Sequence, residues 1–136
     1  MFVRRGFAAL LVVSALIMVS ACRTRQVYNV QDHPIPAATQ RLPLDQIAQT
    51  IVEAGRLRHW RMEPAGPGQI TGILDDHQRE AVINITYSQQ AYSITLAGST
   101  NLHHEGDEVH KRYNRWVRQL ESAIDDRLAM VGYAPR

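Results

Sequence analysis

The segment VHKRYNRWVRQLESAIDDRL, residues 109–128, decides the fold because it carries one continuous apolar stripe at helical spacing. The apolar positions are Val109, Tyr113, Trp116, Val117, Leu120, Ile124 and Leu128. Residues with this spacing lie on one face of an α-helix. The stripe therefore predicts a long amphipathic helix near the carboxyl terminus, with one face buried against another element.

A second, shorter helix is predicted to begin at residue 43. Pro43 suits a first helical turn, where its missing N–H is not needed. Leu44, Ile47 and Ile51 then recur at helical spacing, and Ala48 and Val52 extend the same face. Gly55 can adopt a left-handed conformation, so it is the predicted helix stop.

Between the helices the apolar period changes to two. The segments AVINITY (residues 81–87) and AYSITLA (residues 91–97) alternate apolar and polar side chains, as antiparallel strands with one solvated face do. Residues 69–74 are a third predicted strand, and residues 56–62 (RLRHWRM) are a candidate fourth.

Two amphipathic helices and an amphipathic sheet can bury their apolar faces together. The prediction is a single α+β domain over residues 43–131. It has three to four antiparallel strands packed against two helices in the order α-β-β-β-α, and a carboxyl-terminal tail over residues 132–136.

The first 22 residues, MFVRRGFAALLVVSALIMVSAC, have the features of a bacterial lipoprotein signal. Arg4 and Arg5 precede a stretch that is too short to span a bilayer as a helix but long enough for a signal-peptide core. Small residues before Cys22 resemble a lipobox. The sequence predicts a signal peptide over residues 1–21 and acyl chains, such as palmitate, on Cys22. An ordinary secretory signal that contains a cysteine is the alternative.

The cysteine count and the charge agree with this location. Cys22 is the only cysteine, so an intramolecular disulfide is excluded and a lipid thioether gives the thiol a role. Arg23 follows in place of the aspartate that retains enterobacterial lipoproteins at the inner membrane. This favours the outer membrane, with the domain facing the periplasm. Of the 15 basic residues, Arg4 and Arg5 leave with the signal peptide, so 13 remain against 13 acidic residues. A nucleic-acid partner is not expected.

Residues 22–42 are predicted to be the lipidated cysteine followed by a flexible tether. The stretch after Cys22, RTRQVYNVQDHPIPAATQR, is polar, contains two prolines and lacks sustained periodicity. The alternative is that residues 27–30 add an edge strand to the sheet.

Several motifs resemble a family of small proteobacterial lipoproteins. The most specific are YSI…S.NL, starting at Tyr92, and H..YN.W...L...I, starting at His110. The resemblance covers roughly residues 44–128. It implies an exported, compact α+β domain, and it transfers no catalytic residue.

The histidine-rich segment before the long helix permits a metal hypothesis. If a helix began at Leu102, then His103, Asp107 and His110 would share one face, with His104 nearby, and imidazole and carboxylate groups are zinc ligands. Gly106 disfavours a helix there. The favoured interpretation is structural: Asp107 caps the helix, Glu108 lies in its first turn and the histidines lie in the preceding loop.

A basic run on the long helix is the predicted interaction surface. It comprises Lys111, Arg112, Arg115 and Arg118. These side chains could meet anionic lipid heads, cell-wall carboxylates or an acidic protein partner. A solvated helix face is the simpler alternative.

No motif for catalysis or cofactor binding is recognisable in the sequence. We therefore expect no enzyme activity and no cofactor, and a hydrolase would require a deep polar cleft at His104 or His110. The expected function is that of a membrane-anchored interaction or accessory module in the cell envelope. A periplasmic metal-binding protein that uses residues 103–110 is the alternative.

Overall fold

The computed structural model describes residues 23–134, which form seven strands and two helices. The elements in chain order are β1 (Thr24–Gln26), β2 (Val30–Pro34), α1 (Leu44–Leu57), β3 (Arg61–Pro64), β4 (Gln69–Asp76), β5 (Arg79–Tyr87), β6 (Ala91–Thr100), β7 (Glu108–His110) and α2 (Lys111–Tyr133).

Two antiparallel sheets result from this chain order. The larger has the strand order β2-β6-β5-β4-β3, and the smaller is the pair β1-β7. Helices α1 and α2 pack against each other and cover one face of the larger sheet. Successive side chains of a strand point to opposite faces, so one face of each central strand joins the core.

The predicted alternation is confirmed on both central strands. Ile83 and Ile85 of β5 are fully buried and pair with Leu96 and Ile94 of β6. The other face of the sheet is largely polar, with residues such as Asn84 and Thr95 exposed to solvent. The helix stripe is confirmed from Tyr113 to Leu128, and its buried members are Tyr113, Val117, Leu120, Ile124 and Leu128.

The α+β class with two helices and an antiparallel sheet is confirmed, but the predicted sheet size and element order are wrong. The larger sheet has five strands, and two strands precede α1. The sequence pattern missed these strands because each is short and makes its contacts far along the chain. Strand β2 pairs with β6, and β1 pairs with β7.

The flexible tether predicted for residues 22–42 is likewise wrong over residues 23–42. Val30 and Ile35 are 4% and 2% exposed and belong to the core, and Thr39 donates a hydrogen bond to the Leu128 carbonyl at 2.6 Å. Isolated apolar residues in a polar stretch give no periodicity, yet Val30 and Ile35 belong to the core, and Val27, Tyr28 and Leu42 pack against it. The alternative edge strand exists, but it spans Val30–Pro34 instead of residues 27–30.

The predicted ends of α1 need two corrections. Pro43 is the N-cap, and Gly55 lies inside the helix, where it is buried against Met62 of β3. A Cβ on Gly55 would lie 2.4 Å from the Met62 sulfur, so glycine permits the close approach of helix and strand. His59, with φ 66°, takes the left-handed conformation after the helix. Helix α2 extends to Tyr133, into the predicted tail.

Candidate functional site

The amino-terminal segment comprises residues 23–35, and its first six residues lie along the first half of α2. The Lys111 N–H donates to the Arg23 carbonyl at 3.1 Å, at the point where the start of β1 lies beside the end of β7. Asn114 then binds the segment twice. Its Oδ1 accepts the Tyr28 N–H at 2.9 Å, and its Nδ2 donates to the Gln26 carbonyl at 2.8 Å. The Asn114 side chain therefore makes two hydrogen bonds to this extended backbone of the kind that a neighbouring strand would make.

A groove with a basic lining follows from this arrangement, and we call it the basic groove. It is an open depression of about 840 Å³ between the amino-terminal segment, α2 and the end of α1. Its lining residues are Arg25, Gln26, Val27, Tyr28, Arg58, Lys111, Asn114, Arg115, Arg118, Gln119 and Ser122. Five of these described residues are cationic and none is acidic. The described lining of the basic groove is therefore positively charged.

Stacking orients one of these cations. The Arg118 Cζ lies 3.9 Å from the centre of the Tyr28 ring, a cation–π arrangement. The Tyr28 hydroxyl donates to Glu121 Oε2 at 2.7 Å. This hydrogen bond, followed by burial, raises the pKa of Tyr28 above its ordinary value and keeps the phenol protonated. Arg118 is thus held at the groove by an uncharged aromatic surface.

The structure separates Arg112 from the other predicted surface residues. Lys111, Arg115 and Arg118 line the groove, whereas the Arg112 guanidinium pairs with Asp76 at 2.8 Å and joins α2 to the β4–β5 hairpin. Arg25 and Arg58 were missed because they lie far from the basic run in the sequence. No local pattern relates them to it.

The histidine-rich segment is not helical. Gly106 has φ 54° and His103 has φ 51°, both in the left-handed region. Residues 108–110 form β7, so the predictions that Asp107 is the N-cap and that Glu108 lies in the first turn are wrong. His110 is the N-cap, and its Nδ1 accepts the Arg112 N–H at 3.2 Å.

The helical face that the metal hypothesis required does not form. The His103 and His110 rings lie 6.2 Å apart at a tilt, and His104 Nε2 lies 3.1 Å from the Gly106 carbonyl oxygen. Residues 23–134 contain no group of three or more His, Cys, Asp or Glu side chains arranged to hold a metal ion. Neither His104 nor His110 lines the basic groove.

A second polar cluster joins the edge strand β2 to α2. His33 places Nδ1 3.4 Å from Glu121 Oε1 and Nε2 3.0 Å from Asp125 Oδ2. The Tyr92 hydroxyl donates to Asp125 Oδ1 at 2.6 Å. Burial and this bond raise the pKa of Tyr92. Both carboxylates are already engaged by neighbours, so we assign the cluster a structural role.

Cys22, the predicted lipidation site, and residues 1–21 lie outside the described part of the chain. Within the described part, neither helix is long and apolar enough to cross a membrane. Arg23, the first described residue, is fixed beside Lys111. Residue 22 is bonded to Arg23, which lies beside the groove residue Lys111.

The comparisons with known proteins yield no relative. No family model, curated protein or solved structure matches the chain.

Proposed function

We propose that this chain is a bacterial envelope lipoprotein that is anchored through Cys22 and acts through binding contacts rather than through catalysis. It is an interaction or accessory module at the periplasmic side of the outer membrane. The observation that carries the proposal is the basic groove, which begins within a few residues of the predicted anchor. The signal-like residues 1–21 and the single cysteine supply the means of anchoring.

The groove supports a function in binding because its side chains are of the types that bind anionic groups. Arginine presents a planar fork of donors that suits carboxylate and phosphate groups, and its charge is permanent. The lining adds amide and hydroxyl groups from Asn114, Gln119 and Ser122, which can donate to the same oxygens. The described lining contains no histidine, cysteine or carboxylate.

The anchor is tested by expressing the full chain in a bacterium and measuring the intact mass of the protein from the membrane fraction. We expect loss of residues 1–21 and the added mass of a diacylglyceryl thioether and an amide-linked acyl chain on Cys22. Sucrose-gradient separation of the two membranes should place this species in the outer membrane.

The matched control is Cys22→Ser, which keeps the signal core and removes the thiol. It should lack acyl mass and the mature amino terminus at residue 22. An unmodified Cys22 in a membrane-free, processed wild-type protein would refute the proposed anchoring.

A further inference from the structure

We propose that the basic groove docks onto the anionic phospholipid headgroups of the same membrane that holds the anchor, so that the domain lies against the bilayer in one orientation. This inference rests on the proposed lipidation of Cys22. It extends the proposed function in two ways. The ligand class is a phosphodiester at a lipid surface, and the domain has a fixed orientation on the membrane.

The first argument is that the chain is hydrogen-bonded to the domain from Arg23 onward, directly after the predicted anchor at Cys22. Arg23 is held by the Lys111 N–H, and Thr24 to Gln26 are paired with β7. One residue spans at most about 3.6 Å. An acylated Cys22 therefore brings the rim of the groove, at Arg25 and Lys111, to the headgroup layer.

The second argument is charge. The groove presents five cations with no carboxylate among its described lining residues. At physiological ionic strength a surface potential decays over about 8 Å, so only cations close to the bilayer respond to it. Arg25 lies three residues from Cys22 along the chain, and Lys111 is hydrogen-bonded to Arg23, so these two cations are held near the anchor.

Glu108, a carboxylate of the ribbon formed by β1 and β7, is not among the lining residues of the groove. Glu108 pairs with Gln26, and Arg25 pairs with Val109, so the alternation of side chains puts Glu108 and Arg25 on opposite faces of the β1–β7 ribbon. Glu108 Oε2 instead accepts a hydrogen bond from the Thr24 hydroxyl at 3.3 Å.

The third argument is shape. The groove is open and is lined by residues from three segments of the chain. Such a surface suits several headgroups presented side by side in a plane better than one enclosed small molecule. Tyr28 and Val27 give it an apolar strip beside the cations, which matches the mixed polarity of the interfacial layer.

The sequence supplies its own probe, because Lys111 is the only lysine in the chain and lines the groove. The full lipidated chain is reconstituted into vesicles of phosphatidylcholine alone or with one third phosphatidylglycerol. A neutral amine-acetylating reagent is added, and modification of Lys111 is followed by peptide mass spectrometry. We expect modification to be at least threefold slower in the anionic vesicles, with most of the difference removed at 0.5 M salt.

The groove variant is Arg58→Glu together with Arg115→Glu, two exposed positions of the lining. It should lose most of the protection of Lys111. The matched control is Arg41→Glu with Arg56→Glu, which makes the same charge change outside the groove lining and should keep the protection. Far-UV circular dichroism verifies the fold of both variants.

Equal rates of Lys111 modification in the two kinds of vesicle would overturn the proposal, as would equal protection in the groove variant and its control. Protection in neutral vesicles by an added acidic peptide or peptidoglycan fragment, without protection by phosphatidylglycerol, would assign the groove to a different partner and also overturn it. Absence of acyl mass on Cys22 is a separate result, visible before any vesicle is made, and it would defeat the anchoring proposal instead.

Discussion

Tyr113 carries a buried hydroxyl that makes no hydrogen bond to any described residue. Burial raises the pKa of Tyr113, so the phenol stays protonated and its donor is unused. An unsatisfied buried polar group costs about 1–3 kcal/mol. Tyr113→Phe should therefore leave stability unchanged or raise it by about 1 kcal/mol, measured by urea unfolding.

Tyr92→Phe is the matched comparison. The Tyr92 hydroxyl donates to Asp125 at 2.6 Å, and a backbone carbonyl of α2 lies 3.4 Å away. Its removal should destabilise the protein by about 1–2 kcal/mol. A Tyr113→Phe variant less stable than Tyr92→Phe would contradict the assignment of the two hydroxyls.

His110 should make the stability of the domain depend on pH. Burial, and then the positive charges of Arg79, Arg112, His103 and Lys111, lower the pKa of His110 below 6.5. The unfolded chain then binds the proton more readily. The stabilising contribution is complete above about pH 6.5 and is lost as the pH falls through the lowered folded-state pKa.

The test is His110→Asn, which keeps an N-cap acceptor that does not titrate. The melting temperature of the wild type should fall relative to that of this variant between pH 7.5 and pH 5. His77→Asn changes an exposed histidine of the β4–β5 hairpin and should track the wild type. A pH-independent difference between wild type and His110→Asn would show that the cap is not the titrating group.

At the scale of elements, Asn114 links α2 to the amino-terminal segment through two hydrogen bonds. Its side chain satisfies one donor and one acceptor of that backbone. Asn114→Ala removes both hydrogen bonds and should cost about 1–3 kcal/mol. Hydrogen exchange should also be faster at the Tyr28 amide, while the amides of β5 keep their protection. Unchanged exchange at Tyr28 would show that the segment is held by other contacts.

The elements that were predicted correctly are those whose pattern is local. The stripe of α2 and the alternation of β5 and β6 repeat over enough residues to be recognised without knowledge of partners. The start of α2 was misplaced because Asp107 and Glu108 have the residue types of a helix start, yet tertiary pairing with β1 draws them into a strand. Local preference is weak where a distant strand supplies hydrogen bonds.

For the whole molecule, the structure predicts that the amino-terminal segment is needed for folding. Replacing residues 24–35 by a glycine-serine linker removes β1 and β2 and exposes the places filled by Val30 and Ile35. Loss of these two side chains alone costs about 3–6 kcal/mol, against about 5–15 kcal/mol for a whole domain. We expect no cooperative thermal transition in this variant. A thermal transition equal to that of the wild type would contradict this prediction and would support a flexible tether.

The candidate site was only partly predictable at this scale. The run Lys111 to Arg118 is visible in the sequence, but the groove needs Arg25 and Arg58 as well, which reach it through the β1–β7 pairing and the antiparallel arrangement of the two helices. The sequence shows the charged residues but not which of them lie close together in the fold. That information is carried by long-range contacts.

The pairing of β1 with β7 joins the first described strand of the domain to the last. The ribosome makes β1 early, but its partner strand and the helix that seals the core are made last. Until residues 108–110 exist, β1 has no partner strand, and until residues 111–128 exist, much of the apolar face of the larger sheet is uncovered. A stop codon at position 108 would therefore yield an unfolded chain, even though four fifths of the protein had been synthesised.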